Sequence, residues 1–321
     1  MIKEYNDISN HVTEAADICI IGSGAGGAVT AKELAEKGLN VIVLEEGSSF
    51  STKNFNQDPL DMMAMMYRDA GTTMAYGLPP ASITLGKCLG GTTTVNSATC
   101  FKTPPEVVQD WIANHDCRGL DYEALLPYFE RVEKEINVTA LSEDILGNVY
   151  KIVKRGAKAL GLSAKPLMHN VKGCDGAGVC QWGCIKGAKQ SMEISYIPKA
   201  DAAGARIYAN CRAIKIATEN GRVKGVEAVF IDPATGRRRW RMHIKAKVVC
   251  AAMGALITPA FLLRNRLVNT SGLLGKGLTI HPCGRVVAEM DELVDGHLGV
   301  SQGGLIDAFK EEGIMLEGIF I

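Results

Sequence analysis

The chain has 321 residues, of which 47% are hydrophobic, enough for one large domain or for two that share a core. Lys plus Arg and Asp plus Glu number 35 each, so no global field draws it to nucleic acid or to an anionic membrane. The N-terminal MIKEYNDISNHVTEAAD has no apolar export core, and the longest apolar run, 248–263, is short for a membrane span and broken by Gly254 and Thr258-Pro259. Ten cysteines without an export signal indicate a reducing compartment, so the expectation is a soluble cytoplasmic protein.

In chain order, the first clear unit is 17–47, DICIIGSGAGGAVTAKELAEKGLNVIVLEEG. Ile18 to Ile21 reads as a buried strand. Ala28, Ala31, Leu34 and Ala35 then give helical spacing, with Gly38 as a left-handed C-terminal cap. Val41 to Leu44 is a second buried strand, and together these form a βαβ unit that opens a parallel sheet. DMMAMMYRDAG (61–71) reads as a methionine-rich helix buried against the core, with an adaptable flap over an apolar substrate as the less favoured reading. A Gly-rich stretch (85–104) reads as loop and short strands. Helices are expected at 105–116, at 121–136 with Leu125, Leu126, Phe129 and Val132 on one face, and at 144–160. From 206 to 251 the pattern is β, with turns at ENGR and DPATGR, and 254–265 returns to helix.

Gly22, Gly24 and Gly27 form G-x-G-x-x-G between a strand and a helix. The first allows the tight turn, the second lets a pyrophosphate approach the backbone, and the third lets the helix pack close. The helix N-terminus then faces the phosphate charge. Ser23 and Ala25 lie in the same turn, and Glu45 closes the second strand about 20 positions on, where a carboxylate accepts ribose hydroxyls. This spacing fits NAD and FAD equally. A reductase that uses both would need a second such motif after a strand, and AAMGAL and GLLGKG do not fit one.

Beyond the turn, GKCLGGTTTVN (86–96), AAMGALITPAFLL (251–263), VLEEG (43–47), LLPYFERVE (125–133) and LTIHP (278–282) stand in order along the chain. With the β region between them, they resemble the glucose–methanol–choline (GMC) family of FAD oxidoreductases, and the cysteine loop (173–189) with LEGIFI (316–321) is similar to bacterial members related to long-chain alcohol oxidases. The resemblance implies an α/β fold: an FAD-binding Rossmann-like domain, with a parallel sheet and a β-meander insertion, plus an incomplete α+β substrate domain. The FAD domain is expected over 1–110 and 190–282, and the partial substrate domain over 111–189 and 283–321. It further implies that Gly90, Gly91 and Thr92 lie along the flavin and pyrophosphate, and that Asn96, Ser97 and Ala98 lie beside the isoalloxazine. Ala213 would hold the adenine, and Ala251, Ala252 and Gly254 would close over the dinucleotide. Cys100 replaces a common aromatic, and Met253 interrupts the usual Ala-Ala-Gly run. Where some members attach FAD through a histidine this chain has Val95, which implies non-covalent FAD.

Cys174, Cys180 and Cys184 fall in one glycine-rich loop, GCDGAGVCQWGCIKGAK. Three readings stay open. One is a [3Fe–4S] cluster relaying electrons, as the resemblance to cluster-bearing flavin dehydrogenase subunits implies. The second is a structural zinc with His169 or His281 as fourth ligand. The third is plain packing supported by Trp182.

The implied activity is hydride transfer from an alcohol CH–OH to FAD, and in the family the base is a histidine from a C-terminal segment. None of the six histidines stands in that context, and the chain ends on the apolar strand EEGIMLEGIFI. The expectation is therefore an N-terminal portion whose catalytic histidine comes from a complementary segment or chain. The alternative is a non-catalytic or electron-transfer subunit that uses the cysteine loop and an electron-carrier partner.

Overall fold

The computed structural model describes residues 1–281 and 283–320. Pro282, the last residue of the LTIHP motif, and Ile321, the last of the C-terminal apolar strand, lie outside the described residues. The chain divides into two compact units, Met1–Val95 with Met192–Asp291, and Asn96–Ser191 with Glu292–Ile321.

The first unit is built on β1 (Ile2–Lys3), β2 (Val12–Ile21), α1 (Ala25–Ala35), β3 (Val41–Leu44) and α2 (Pro59–Met66). After the second unit's insertion come α3 (Tyr196–Ala202), β4 (Arg206–Tyr208), β5 (Cys211–Glu219), β6 (Arg222–Ile231), β7 (Arg238–Ala251) and α4 (Gly254–Arg264). Seven strands make one sheet in the order β1-β4-β3-β2-β7-β6-β5. The pairs β1–β4, β4–β3, β3–β2 and β2–β7 are parallel, whereas β7–β6 and β6–β5 are antiparallel. The expected meander is thus β5-β6-β7, and its last strand returns to lie beside β2.

Strand β3 shows why the centre holds. Val41, Ile42, Val43 and Leu44 are at most 1% exposed, and each buried side chain of this kind contributes about 1.5–3 kcal/mol. Strand β2 begins at Val12, earlier than the apolar Ile18–Ile21 alone indicates. Its first half alternates exposed and half-buried residues and is held by parallel pairing with Met242–Ala246 of β7. On α2, Met62 and Met66 are fully buried while Met65 is exposed, which is the core reading of the methionine run. Gly38 adopts φ 80° as the expected left-handed cap.

The second unit contains helices Pro105–His115, Tyr122–Glu135 and Glu143–Ala159. Strands Leu316–Ile319, Gln302–Ile306 and Lys165–Pro166 form one antiparallel sheet, and Val138–Ala140 pairs with Met168–Asn170. The helix expected over 144–160 is interrupted at Gly147, whose φ of 82° and ψ of −177° are not helical. A Cβ there would lie 2.4 Å from the Leu298 carbonyl oxygen, so the break lets two backbones touch. Among the described residues, no helix is long and apolar enough to cross a membrane.

Candidate functional site

Three loops from the carboxyl ends of β2, β3 and β7, joined by a fourth from 86–93, surround a cavity of ≈ 1030 Å³ in the first unit. In an α/β sheet this is the place where ligands bind. The turn after β2 needs glycine for steric reasons. Gly22 has φ 101°, and a Cβ on it would stand 2.4 Å from the Ala252 carbonyl oxygen. A Cβ on Gly27 would stand 1.9 Å from the Gly22 carbonyl oxygen, so α1 can approach the turn only with glycine there. A Cβ on Gly24 would meet nothing within 4 Å, because it would project into open space. A Cβ on Gly91 would lie 2.9 Å from the Cα of Gly24, so the second glycine loop rests directly on the first.

Glu45, at the end of β3, is 6% exposed. Its Oε2 accepts from the Ser23 amide at 3.1 Å and from the Ser23 hydroxyl at 2.6 Å, and its Oε1 accepts from the Gly47 amide at 2.9 Å. Ser23 therefore fills Oε2, leaving Oε1 with room for one further donor. This narrows the expectation that the carboxylate takes both ribose hydroxyls. Burial pushes the Glu45 carboxyl above its ordinary value, and the three hydrogen bonds and the Arg68 charge pull against it.

Of the residues singled out in the sequence, Gly22, Ser23, Gly24, Ala25, Glu45, Gly91, Thr92, Ala213, Ala251, Ala252 and Gly254 all line this cavity. Gly27 supports the turn from beneath, and Gly90 gives its amide to the Ser23 Oγ at 3.0 Å. Asn96, Ser97 and Ala98 open the second unit. There the Ala98 amide donates to Asn96 Oδ1 at 3.2 Å, and Ala98 itself has φ 65°. The sequence reading missed Glu46, Arg68 and Arg212, which also line the cavity. Glu46 pairs with Arg68 on one oxygen and with the Arg212 Nε at 2.8 Å on the other. The signal was present in the second carboxylate of VLEEG and in the arginine next to Ala213, but the motifs gave neither a role.

The cysteine loop folds within the second unit. Cys180 is buried, Cys174 and Cys184 are half-buried, and burial raises the Cys174 thiol above its ordinary value and the Cys180 thiol to about 11. Among the described residues, no group of three or more His, Cys, Asp or Glu side chains is placed to hold a metal ion, so neither the cluster nor the zinc reading of Cys174, Cys180 and Cys184 gains support. His169 is fully buried, with Nδ1 3.0 Å from the Leu167 carbonyl and Nε2 2.9 Å from that of Gln302. Each ring nitrogen faces a backbone carbonyl, of which a neutral imidazole can donate to one, and His169 belongs to no metal-holding group among the described residues. His281 is exposed. The loop is fastened by buried Lys189, whose ammonium donates to the carbonyls of Cys180 at 2.6 Å and Asn96 at 2.9 Å, and by Gln181, which donates to Ser97 Oγ at 3.0 Å. It packs against the segment that the sequence reading set beside a flavin.

The family model for GMC oxidoreductases matches residues 63–283, well over half of the chain. The chain belongs to the GMC oxidoreductase family. A model for the NAD(P)-binding Rossmann-like domain also matches residues 20–69. An uncharacterized GMC-type oxidoreductase of Mycobacterium tuberculosis is 35% identical over 304 residues, 94% of this chain and 47% of that protein. Long-chain-alcohol oxidase FAO3 of Arabidopsis thaliana is 30% identical over 276 residues, 83% of this chain and 36% of that protein. Among solved structures, pyridoxine 4-oxidase from Mesorbium loti shares the fold with a TM-score of 0.59 at 16% identity, covering 78% of this chain and 52% of that one. This GMC chain spans about half the length of the first of these relatives and about a third of the second.

Proposed function

We propose that this GMC chain is the FAD-holding part of an oxidoreductase that acts on the CH–OH group of alcohols. The observation that carries the reading is the cavity itself, where two glycine loops meet without side chains and Gly24 opens into free space beside a buried carboxylate. A pyrophosphate requires this arrangement, and a sealed glycine turn does not. The family supports FAD as the cofactor, and the relatives named long-chain-alcohol oxidases and cholesterol oxidase support an alcohol as the substrate.

Bound FAD would supply a hydride acceptor for the carbinol carbon. The residues of this chain would bind and orient it. The amides at the N-terminus of α1 would face the phosphates, Glu45 Oε1 would take a ribose hydroxyl, and Ala213 and Arg212, which line the same cavity, would border the adenine. Val95 stands where a covalent histidine link would be, so the cofactor is held by contacts alone. Among the described residues, no histidine lines the cavity. In this reading the base that removes the hydroxyl proton comes from polypeptide that the relatives carry and this chain does not span, joined to it or supplied as a second chain. The electron-transfer alternative has no set of metal ligands among the described residues to rest on.

The test is to purify the chain with FAD, alone and co-expressed with the remaining half of a GMC relative. Retention of the visible flavin band through gel filtration, and its bleaching by a long-chain primary alcohol without oxygen when the second half is present, is the expected result. A protein that keeps no flavin in either form would overturn the reading.

A further inference from the structure

Ser23 occupies an unmarked position of the glycine motif, yet it is fully buried. Its hydroxyl has two partners from separate segments. The Gly90 amide donates to Oγ at 3.0 Å, and Oγ donates to Glu45 Oε2 at 2.6 Å. The Gly90 amide can only donate, so with Glu45 ionised the hydroxyl proton is directed to the carboxylate. A single hydroxyl therefore links the loop after β2, the end of β3 and the second glycine loop, which are far apart in sequence. Each bond polarises the other in a site shielded from water.

The surroundings leave little to replace it. Gly90 has φ 86°, and a Cβ on it would lie 2.6 Å from Thr94 Oγ1 and 3.0 Å from the Glu193 amide, so its backbone is confined on its Cβ side. Gly91, the next residue, is the one that rests on Gly24. Whatever holds the Gly90 amide in place therefore also sets the separation of the two loops. The Ser23 hydroxyl and amide together fill one carboxylate oxygen, which leaves Oε1, bonded to the Gly47 amide, as the oxygen with capacity for a further donor.

We infer that Ser23 is a positioning residue: its hydroxyl latches the second glycine loop to Glu45 and so sets, before any cofactor arrives, both the width of the phosphate cleft and the orientation of the ribose-binding carboxylate. The cofactor part of this statement rests on the FAD reading above; the latch itself does not.

The experiment has two arms on the same chain. In the FAD-free protein, amide hydrogen exchange reads the latch. Gly90 should be protected in the wild type, and Ser23→Ala should speed its exchange about tenfold or more, the size of one hydrogen bond to a charge-linked group. The Gly22 amide, bonded to the Leu44 carbonyl at 2.8 Å, is the control and should stay unchanged. In the second arm, FAD titration should show the Kd of Ser23→Ala raised about tenfold or more. A Gly90 amide already unprotected in the wild type overturns the latch even if the variant cannot be folded. Equal acceleration at Gly90 and Gly22 assigns the change to general loosening and also overturns it. If Gly90 behaves as expected but the wild type binds no FAD, the FAD reading fails and the cofactor role falls with it.

Discussion

Alanine at Gly24 and alanine at Gly27 should have opposite effects, although the two positions are three residues apart in one motif. At Gly27 the added methyl would stand 1.9 Å from the Gly22 carbonyl oxygen and 2.9 Å from its carbon, both backbone atoms. Contacts of this kind require α1 to withdraw from the turn by more than 1 Å, roughly the gap to ordinary van der Waals distance. At about 2 kcal/mol, the middle of the usual overpacking range, a domain of roughly 200 residues loses about 6 °C in Tm. At Gly24, φ is −65° and nothing lies within 4 Å of the new Cβ, so the apo protein should keep its stability or gain about 0.4–1 kcal/mol from the stiffer unfolded chain. The same methyl projects into the space that a pyrophosphate would use, and FAD affinity should fall at least about tenfold, or about 1.4 kcal/mol. Differential scanning calorimetry without cofactor, paired with FAD titration followed by flavin fluorescence, reads both quantities. Matching losses of stability in the two variants, or wild-type FAD affinity in Gly24→Ala, would refute the reasoning.

Burial raises the Glu45 carboxyl, so the folded chain binds that proton more tightly than the unfolded chain does. Its share of stability is therefore present below the ordinary carboxyl value of 4.5 and is lost as pH rises through the raised one. Thermal melts of the apo protein against pH should show this decline in the wild type and a flatter profile in Glu45→Gln. His169 is shifted the other way, lowered chiefly by burial, so its share is intact above 6.5 and is lost as pH falls through the lowered value. Histidine NMR titration checks the direction. Glu46→Ala leaves Arg68 and Arg212 facing each other at the cavity wall and should destabilise the first unit by roughly 1–3 kcal/mol, as denaturant unfolding would measure. Buried Cys180, with its thiol raised to about 11, should resist alkylation at neutral pH while exposed Cys283 reacts, a contrast that peptide mass mapping resolves.

What the sequence made legible was local. The βαβ unit, the Gly38 cap and the meander turns follow from periodicity and turn chemistry carried within a few residues of each other. Residues 12–17 of β2 were hidden because VTEAAD is polar on one side and becomes strand only through its partner β7. The break at Gly147 was hidden because its cause, the Leu298 carbonyl, is distant in sequence. In the site, the glycines could be placed at the turn because close backbone approach there leaves no room for a Cβ on Gly22 or Gly27. Ser23 was placed in the turn, but its bond to Gly90 depends on a loop 67 positions away. The pairing of Glu46 with two arginines from separate segments, Arg212 on β5 and Arg68 after α2, left no trace in local spacing. The same holds for the lysine that fastens the cysteine loop.

The parallel seam between β2 and β7 works as a ruler. Its pairing runs in unbroken step from Val12↔Met242 to Ala251↔Ile21, and it delivers Ala252 to the carbonyl contact over Gly22. One residue inserted between His243 and Cys250 would advance that loop by about 3.3 Å and turn every following side chain to the opposite face. The DPATGR turn at 232–237 lies before the seam begins and joins β6 to β7. Length can be added there without altering the reach of the closing loop, so natural variation and engineered grafts should gather at that bend and avoid the strand after it.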